Sequence, residues 1–189
     1  MMLSKAGSSY KSAFITYVSI VVFTSLIVGV LLYINGNSLI GIDDANIYLV
    51  YMRNFAHGYG FVYNPGGEHV EGFTSLLWTL VGSLFFCFTS NPESILLIFN
   101  ILIVSFATWG LCRYINSFFE ARPFFSSPVI LFLGLMLFLP GYFEWSVLSL
   151  METGLWSSVL ILSALNFLRF EPGDDYNKAA VLIPIKALQ

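Results

Sequence analysis

Charge is scarce in this sequence. Only 10% of its 189 residues are Asp, Glu, Lys or Arg, whereas 57% are hydrophobic, and the mean hydropathy is +0.80. This apolar content is well above that of a soluble domain. The eight Lys and Arg residues are scattered and the net charge is −3, which excludes a basic face for nucleic acid. The composition predicts an integral membrane protein.

Cysteine is equally scarce. Cys87 and Cys112 are the two cysteines, and both lie within apolar runs. Two isolated thiols give neither a disulfide framework nor the spacing of metal ligands, and buried thiols usually act as small hydrophobic groups. We therefore assign no redox or metal function to them.

Long apolar runs predict an all-α protein with four to five transmembrane helices. The first run follows Lys5 and Lys11 and has about 20 uncharged residues, enough to cross about 30 Å of hydrocarbon. A cleaved signal peptide is the alternative, but the run is long for one and no small-x-small cleavage site follows it. We expect one membrane domain over residues 1–189, with 35–73 as the first extracytoplasmic loop. The runs are Ala13–Ile34, Phe73–Phe88, Ser94–Cys112, Pro128–Leu139 and Leu155–Phe170.

The distribution of Lys and Arg predicts a cytoplasmic amino terminus. Lys5 and Lys11 precede the first run, whereas the loop after it is acidic, and positive residues favour the cytoplasmic side. If each of the first four runs crossed the membrane once, however, Arg113 and Arg122 would lie outside the cytoplasm. Either one run is re-entrant or the rule is broken, and Pro140-Gly141 makes the fourth run a candidate for a broken helix.

The loop concentrates much of the charge. Asp43 and Asp44 open a segment, "DDANIYLVYMRNFAHG", that predicts an amphipathic interfacial helix ending at Gly58. Its period places Asp44, Tyr48, Tyr51 and Phe55 on one face. The two aspartates are explained either as a helix cap and a dipole partner, or as adjacent carboxylates suited to proton abstraction.

A tight turn follows this helix. Pro65 and Gly66 suit the two central positions of a type II turn. Flanking residues 61–63 and 69–71 are predicted to pair as a small hairpin that brings Glu68 and Glu71 near the aspartates. A divalent metal is one interpretation of these side chains and solvated loop charge is the other, and we assign no ligand. The side chains in question are Asp43, Asp44, His57, Glu68, His69 and Glu71.

Two segments resemble a known family. The first is similar, over about forty positions, to a block at the start of the bacterial membrane glycosyltransferases of the GT-C superfamily, among them terminal arabinofuranosyltransferases and protein mannosyltransferase-like enzymes. The second, "LSLMETGLW" at 148–156, is similar to a Met-Glu-Thr element later in those enzymes. From residues alone, this second segment reads as a helix start with a polar cap. The matching elements of the first block are Asp43-Asp44-Ala45, Arg53-Asn54, Gly58, Gly60, Asn64-Pro65-Gly66, Val70-Glu71-Gly72-Phe73-Thr74 and Leu77-Trp78.

The match has limits. Many members carry Arg where this chain has Val50, and Asn-Pro or Ser-Pro where it has Ser75-Leu76. Members also run to several hundred residues with more spans and further basic residues, so the resemblance implies an amino-terminal portion of such a fold.

The resemblance implies a function. Members transfer a sugar from a polyprenyl-phosphate carrier to a hydroxyl of a glycan, lipid or protein outside the bacterial cytoplasmic membrane. It implies Asp43 as the base that deprotonates the acceptor hydroxyl, with Asp44 tuning it. The implied substrate-binding residues are Arg53, His57, Tyr48, Glu68, Glu71 and Glu152. No cofactor is assigned, although a divalent metal would fit the acids.

Other functions compete with this one. A non-catalytic assembly partner, or a truncated relative that works with further membrane subunits, would keep the opening helices without a complete site. The aromatic side chains of the loop serve either sugar stacking or interfacial anchoring. A small transporter would place ionisable residues at mid-membrane depth, whereas the carboxylates here lie at the edges of the runs.

Overall fold

The computed structural model describes residues 2–36, 43–68, 72–118 and 125–168. Within these ranges the chain is all-helical, and no strand occurs. Seven α-helices and one π-helical segment follow each other. They are α1 Met2–Ile34, α2 Asp43–Ala56, α3 Leu76–Phe86, α4 Glu93–Phe118, α5 Ser127–Met136, α6 Pro140–Phe143, the π segment Glu144–Leu148, and α7 Thr153–Leu168.

Two described helices are long and apolar enough to cross a membrane, Lys11–Ile34 and Glu93–Ser117. A third candidate consists of α5 together with Pro140–Leu148, two pieces bent by 77° at Pro140. The predicted interruption at Pro140-Gly141 is therefore confirmed, because proline cannot continue the preceding helix. The count of four to five spans is not confirmed, and only two to three are supported.

The second apolar run is the clearest departure from that count. Its first residues, 73–75, are irregular, and α3 keeps only 11 residues. At 1.5 Å per residue, α3 is about 16 Å long, roughly half of a hydrocarbon core. Helix α7, with 16 residues, reaches about 24 Å.

Contacts along α4 give the directions of its neighbours. Gly154, at the start of α7, lies against Asn100, and Gly110 lies against Leu165 near the end of α7. The two helices therefore run parallel, and they form the most extensive helix pair. Parallel neighbours require a return between them.

The bent segment makes that return. The Ser126 hydroxyl donates to Oδ1 of Asn116 near the end of α4, over 2.5 Å. Twenty-odd residues later, the carbonyl of Val147 accepts from Nδ2 of Asn100, over 3.4 Å. Asn100 and Asn116 are separated by about 24 Å along the axis of α4. The chain from α5 to the π segment therefore runs back along most of α4.

Helix α1 packs antiparallel to α4. Nε1 of Trp109 donates to the Thr16 hydroxyl over 3.1 Å. Later residues of α1, between Phe23 and Leu31, line an apolar groove together with Phe143. Phe143 lies about one helical turn before Val147, which contacts Asn100 near the start of α4. As α1 advances, its neighbours thus shift toward the beginning of α4.

Two apolar clusters hold the helices together. One joins α1, α4, α5 and the π segment around Ile20, Val104 and Phe143. The other joins α2, α3, the first half of α4 and the start of α7 around Trp78, which is fully buried. The second cluster fixes the loop helix α2 against the start of α7.

Candidate functional site

Helix α2 carries the aspartate pair. It begins at Asp43 and ends at Ala56, and Gly58 follows its end with a φ of +82°. The position of this helix at the membrane interface stays a prediction. Tyr48 and Tyr51 are buried, at 3% and 2% exposure, against α3, whereas Asp44 one turn before Tyr48 is exposed. Both aspartates occupy the first turn, where a carboxylate complements the helix dipole. The side chain of Asp43 lies outside the described structure.

The Tyr48 hydroxyl is the centre of a hydrogen-bond network. It accepts the backbone N–H of Thr74 over 3.1 Å and that of Ser75 over 2.9 Å. It also lies 2.7 Å from the Thr74 hydroxyl. Since its oxygen already accepts two N–H groups, the phenol donates its only proton to Thr74.

Thr74 extends this hydrogen-bond network to Glu152. The Thr74 hydroxyl donates to Oε1 of Glu152 over 2.7 Å. The other carboxylate oxygen, Oε2, is buried and has no hydrogen-bond partner among the described residues. The three residues form a directed chain from Tyr48 through Thr74 to Glu152, and the two segments that carry the family resemblance meet in it.

A strained turn at Leu150 positions Glu152 next to Thr74. Leu150 has a φ of +56°, a left-handed conformation that is rare for a bulky residue. Nε1 of Trp78 donates to the Leu150 carbonyl over 3.1 Å, and the hydroxyls of Ser149 and Thr153 both donate to the carbonyl of Trp145. Trp78 is fully buried in the core, and its bond to Leu150 holds the turn.

Ser75 connects the same turn to α3. It is the N-cap of α3, and its side chain accepts from the backbone N–H of Trp78. Nε1 of Trp156, in the first turn of α7, donates to the same hydroxyl over 3.2 Å. Ser75 therefore caps α3, and its hydroxyl accepts from two N–H groups.

The predicted hairpin is not confirmed. The turn itself agrees with the expectation, since the N–H of Gly67 donates to the Asn64 carbonyl over 2.9 Å and Gly66 has a φ of +79°. Residues 61–63 are irregular, because Nδ2 of Asn54 binds the carbonyls of Val62 and Tyr63 in place of a partner strand. Residues 69–71, among them His69 and Glu71, lie outside the described structure.

The aromatic side chains of the loop divide into two groups. Tyr51 is buried, and its hydroxyl accepts the Gly72 N–H over 3.1 Å. Phe55 and Phe61 stack on each other with ring centroids 4.3 Å apart. Tyr59 and Tyr63 remain exposed, at 56% and 47%. Of these two exposed rings, Tyr63 still contacts the ring of Tyr51, with centroids 6.0 Å apart.

The predicted cations do not join the Tyr48 chain. Arg53 is exposed and lies five residues from Tyr48, on the other side of α2. Nδ1 of His57 bonds to the Arg53 carbonyl over 2.7 Å, which directs this ring to the end of α2. Among the described residues, the hydrogen bonds of Tyr48, Thr74 and Glu152 involve no cationic side chain. Glu68 is exposed at the turn.

In the described part of the chain, no group of three His, Cys, Asp or Glu side chains lies close enough together to hold a metal ion. Three of the side chains considered for a metal, Asp43, His69 and Glu71, lie outside that part.

The environment of Tyr48 changes its ionisation. Burial raises the pKa of Tyr48 above its ordinary 10.0, and the Glu152 carboxylate raises it further, against a lowering by the Thr74 bonds. The phenol is therefore neutral, and able to donate, at all physiological pH values.

Thr74 and Leu150 were missed as site residues by the sequence-based expectation. Thr74 belongs to the matched block but carries no charge, and nothing in the sequence around Leu150 indicates a left-handed residue. Comparison with known proteins adds no assignment: no protein-family model, curated protein or solved structure matches this chain.

Proposed function

We propose that this chain is a membrane glycosyltransferase, or the donor-side portion of one, that transfers a sugar from a polyprenyl-phosphate carrier to a hydroxyl. One observation carries the proposal. Residues 43–78 and 148–156 resemble the same enzyme family separately, and the bond from Thr74 to Glu152 joins the two segments.

The chemistry of this site suits the reaction. Deprotonating an acceptor hydroxyl requires a carboxylate within about 3 Å as the sugar carbon becomes oxocarbenium-like. Asp43 and Asp44 supply carboxylates in the first turn of α2, and Asp44 is exposed. Glu152 supplies a third just before α7, and Thr74 links it to Tyr48, which lies one helical turn after Asp44 in α2. We assign the role of base to Asp43, with Asp44 beside it.

We further propose that the site lies at the extracytoplasmic side. In this topology α1 crosses from the cytoplasmic to the extracytoplasmic side, and α3 enters the bilayer only partly. Helix α4 then crosses back to the cytoplasmic side. Arg113 then lies on the cytoplasmic side with Lys11, in agreement with the positive-inside rule. The length of α3, about 16 Å, supports this arrangement and would remove the conflict of four plain crossings.

The depth of the site fits a lipid-borne donor. Glu152 precedes Gly154 by two residues, and Gly154 lies against Asn100, about 10 Å along α4 from Glu93. A carboxylate at this level is close to the outer headgroups, where the phosphate of a polyprenyl carrier lies. The proposed location is the bacterial cytoplasmic membrane.

A non-catalytic assembly partner is the second candidate. It is favoured by the absence of a cationic side chain on the Tyr48 chain among the described residues, because a leaving phosphate is ordinarily bound by Arg or Lys. In this alternative, such cations belong to another subunit or are not needed at all.

Transfer of a radiolabelled sugar tests the proposal. Membranes containing the full chain are given polyprenyl-phosphate arabinofuranose or polyprenyl-phosphate mannose and an extract of acceptor glycans. We expect transfer that falls about 10²-fold to 10⁴-fold in Asp43→Asn. Glu93→Gln, which changes an acid at the start of α4, is the matched control and keeps its activity. Transfer that survives both Asp43→Asn and Asp44→Asn contradicts the assigned base, and no transfer from any donor favours the assembly partner.

A further inference from the structure

Glu152 has one carboxylate oxygen that the described structure leaves without a donor. Oε1 accepts the Thr74 hydroxyl, whereas Oε2 is buried and unpartnered. A buried acceptor without a partner is costly, since it loses its water without gaining a hydrogen bond. A group outside the described residues is therefore expected to donate to Oε2.

The orientation of this carboxylate is fixed. Tyr48 can donate only to Thr74, because its oxygen accepts two backbone N–H groups. Thr74 in turn has a single proton, which goes to Oε1. Since one carboxylate oxygen is held by Thr74, the other, Oε2, is the one left for a further bond.

The backbone holds Glu152 in the same place. Leu150 keeps its left-handed φ of +56° because Trp78 binds its carbonyl, and Ser149 and Thr153 tie the turn to Trp145. Residues held in such sparsely populated conformations occur preferentially at ligand-binding sites. The turn costs stability, and its effect is to position one carboxylate.

We propose that Oε2 of Glu152 binds a hydroxyl of the donor sugar, with Thr74 and Tyr48 as positioning residues. This inference rests on the proposed function and names the group that recognises the sugar. A hydroxyl fits because it donates one hydrogen bond and carries no charge, so that the acceptor is satisfied without burying a second ion. The oxygen becomes reachable when the covering side chains move aside for the sugar.

Equilibrium binding tests the proposal without requiring catalysis. The full chain in lipid nanodiscs is titrated with polyprenyl-phosphate arabinofuranose and mannose, and with analogues that each lack one hydroxyl. If Oε2 binds a given hydroxyl, its removal weakens binding to the wild type by about 10-fold to 100-fold, the range of a hydrogen bond to a charged group. The same removal has little effect on Glu152→Met, a variant of similar length without a carboxylate oxygen, because the two changes delete one interaction.

The cycle separates this inference from the proposed function. If removal of each hydroxyl weakens binding to Glu152→Met as much as it weakens binding to Glu93→Gln, the losses are additive; this result would overturn the inference and indicate that water alone occupies Oε2. A coupled loss in a protein that binds donor but transfers nothing supports the inference and contradicts the enzyme. Absence of donor binding to the wild type overturns both.

Discussion

The Thr74 hydroxyl donates to Oε1 of Glu152 over 2.7 Å, although 78 positions separate the two residues in the chain. This bond closes the contact between the loop that carries the aspartates and the start of α7. Helix α2 is also tied to the same point, since Tyr48 accepts the N–H groups of Thr74 and Ser75. The candidate site is therefore a junction of three segments.

Thr74→Val tests the positioning role. Valine keeps the shape of threonine but removes the hydroxyl, so Glu152 loses its donor and Tyr48 loses its acceptor. We expect sugar transfer to fall about 10-fold to 100-fold, with the same acceptor products. Thr74→Ser, which restores the hydroxyl, is expected to recover most of the activity. Equal activity of the valine and serine variants would contradict a role for the hydroxyl.

Tyr48→Phe tests the stability of the junction. Removing the phenol oxygen leaves the N–H groups of Thr74 and Ser75 without their acceptor, and Ser75 is buried. The expected loss in free energy of unfolding is about 1–3 kcal/mol, measured by thermal unfolding in detergent micelles. Tyr59→Phe, at an exposed ring, is the control and should change stability little.

Alkaline titration tests the raised pKa of Tyr48. A phenol with a folded-state pKa above 10.0 holds its proton more tightly in the folded than in the unfolded chain. Its contribution to stability is therefore complete below pH 10.0 and is lost as the pH rises through the folded-state pKa. We expect the stability difference between wild type and Tyr48→Phe to shrink above pH 10.0 in unfolding experiments. A difference that does not change with pH would show that burial does not hold the proton.

Gly154→Ala tests the close approach of α7 to the π segment. A methyl group at this position would overlap the backbone carbonyl of Ser146, which a change of side-chain rotamer cannot relieve. We expect a loss of about 1–3 kcal/mol in unfolding free energy, together with displacement of Glu152. Gly29→Ala, in α1 with open space around it, is the matched control and should be neutral or slightly stabilising. Equal stability of the two variants would contradict the close packing.

The sequence predicted the helices better than the spans. Apolar runs located α5 and α7 within three residues at each end, whereas α1 begins 11 residues before its run and α4 ends 6 residues after its run. Pro140 marked the break, because hydrophobic periodicity and proline act locally. The second run misled the span count. Residues 73–75 are apolar or small, but their backbone binds Tyr48 instead of extending α3.

The site was predictable only in part. Tyr48 and Glu152 were expected from the resemblance, and the structure brings them together through Thr74. The strained Leu150 and the unpartnered Oε2 depend on contacts between distant segments, which no local pattern records. Arg53 was expected at the same site, yet the helical period and burial of Tyr48 place it on the other side of α2.

Sidedness is the condition on which the proposed chemistry depends, because the proposal places the site and its lipid-linked donor at the outer face. Labelling with a membrane-impermeant maleimide measures it directly. Both native thiols are first removed by Cys87→Ser and Cys112→Ala, and single cysteines are then introduced by Asn46→Cys in α2 and Ser117→Cys at the end of α4. Both positions are exposed.

We predict that intact cells label Asn46→Cys and that Ser117→Cys is labelled only after the membrane is permeabilised. Labelling of Ser117→Cys in intact cells, with Asn46→Cys protected until permeabilisation, would place the acidic site on the cytoplasmic side and contradict the account.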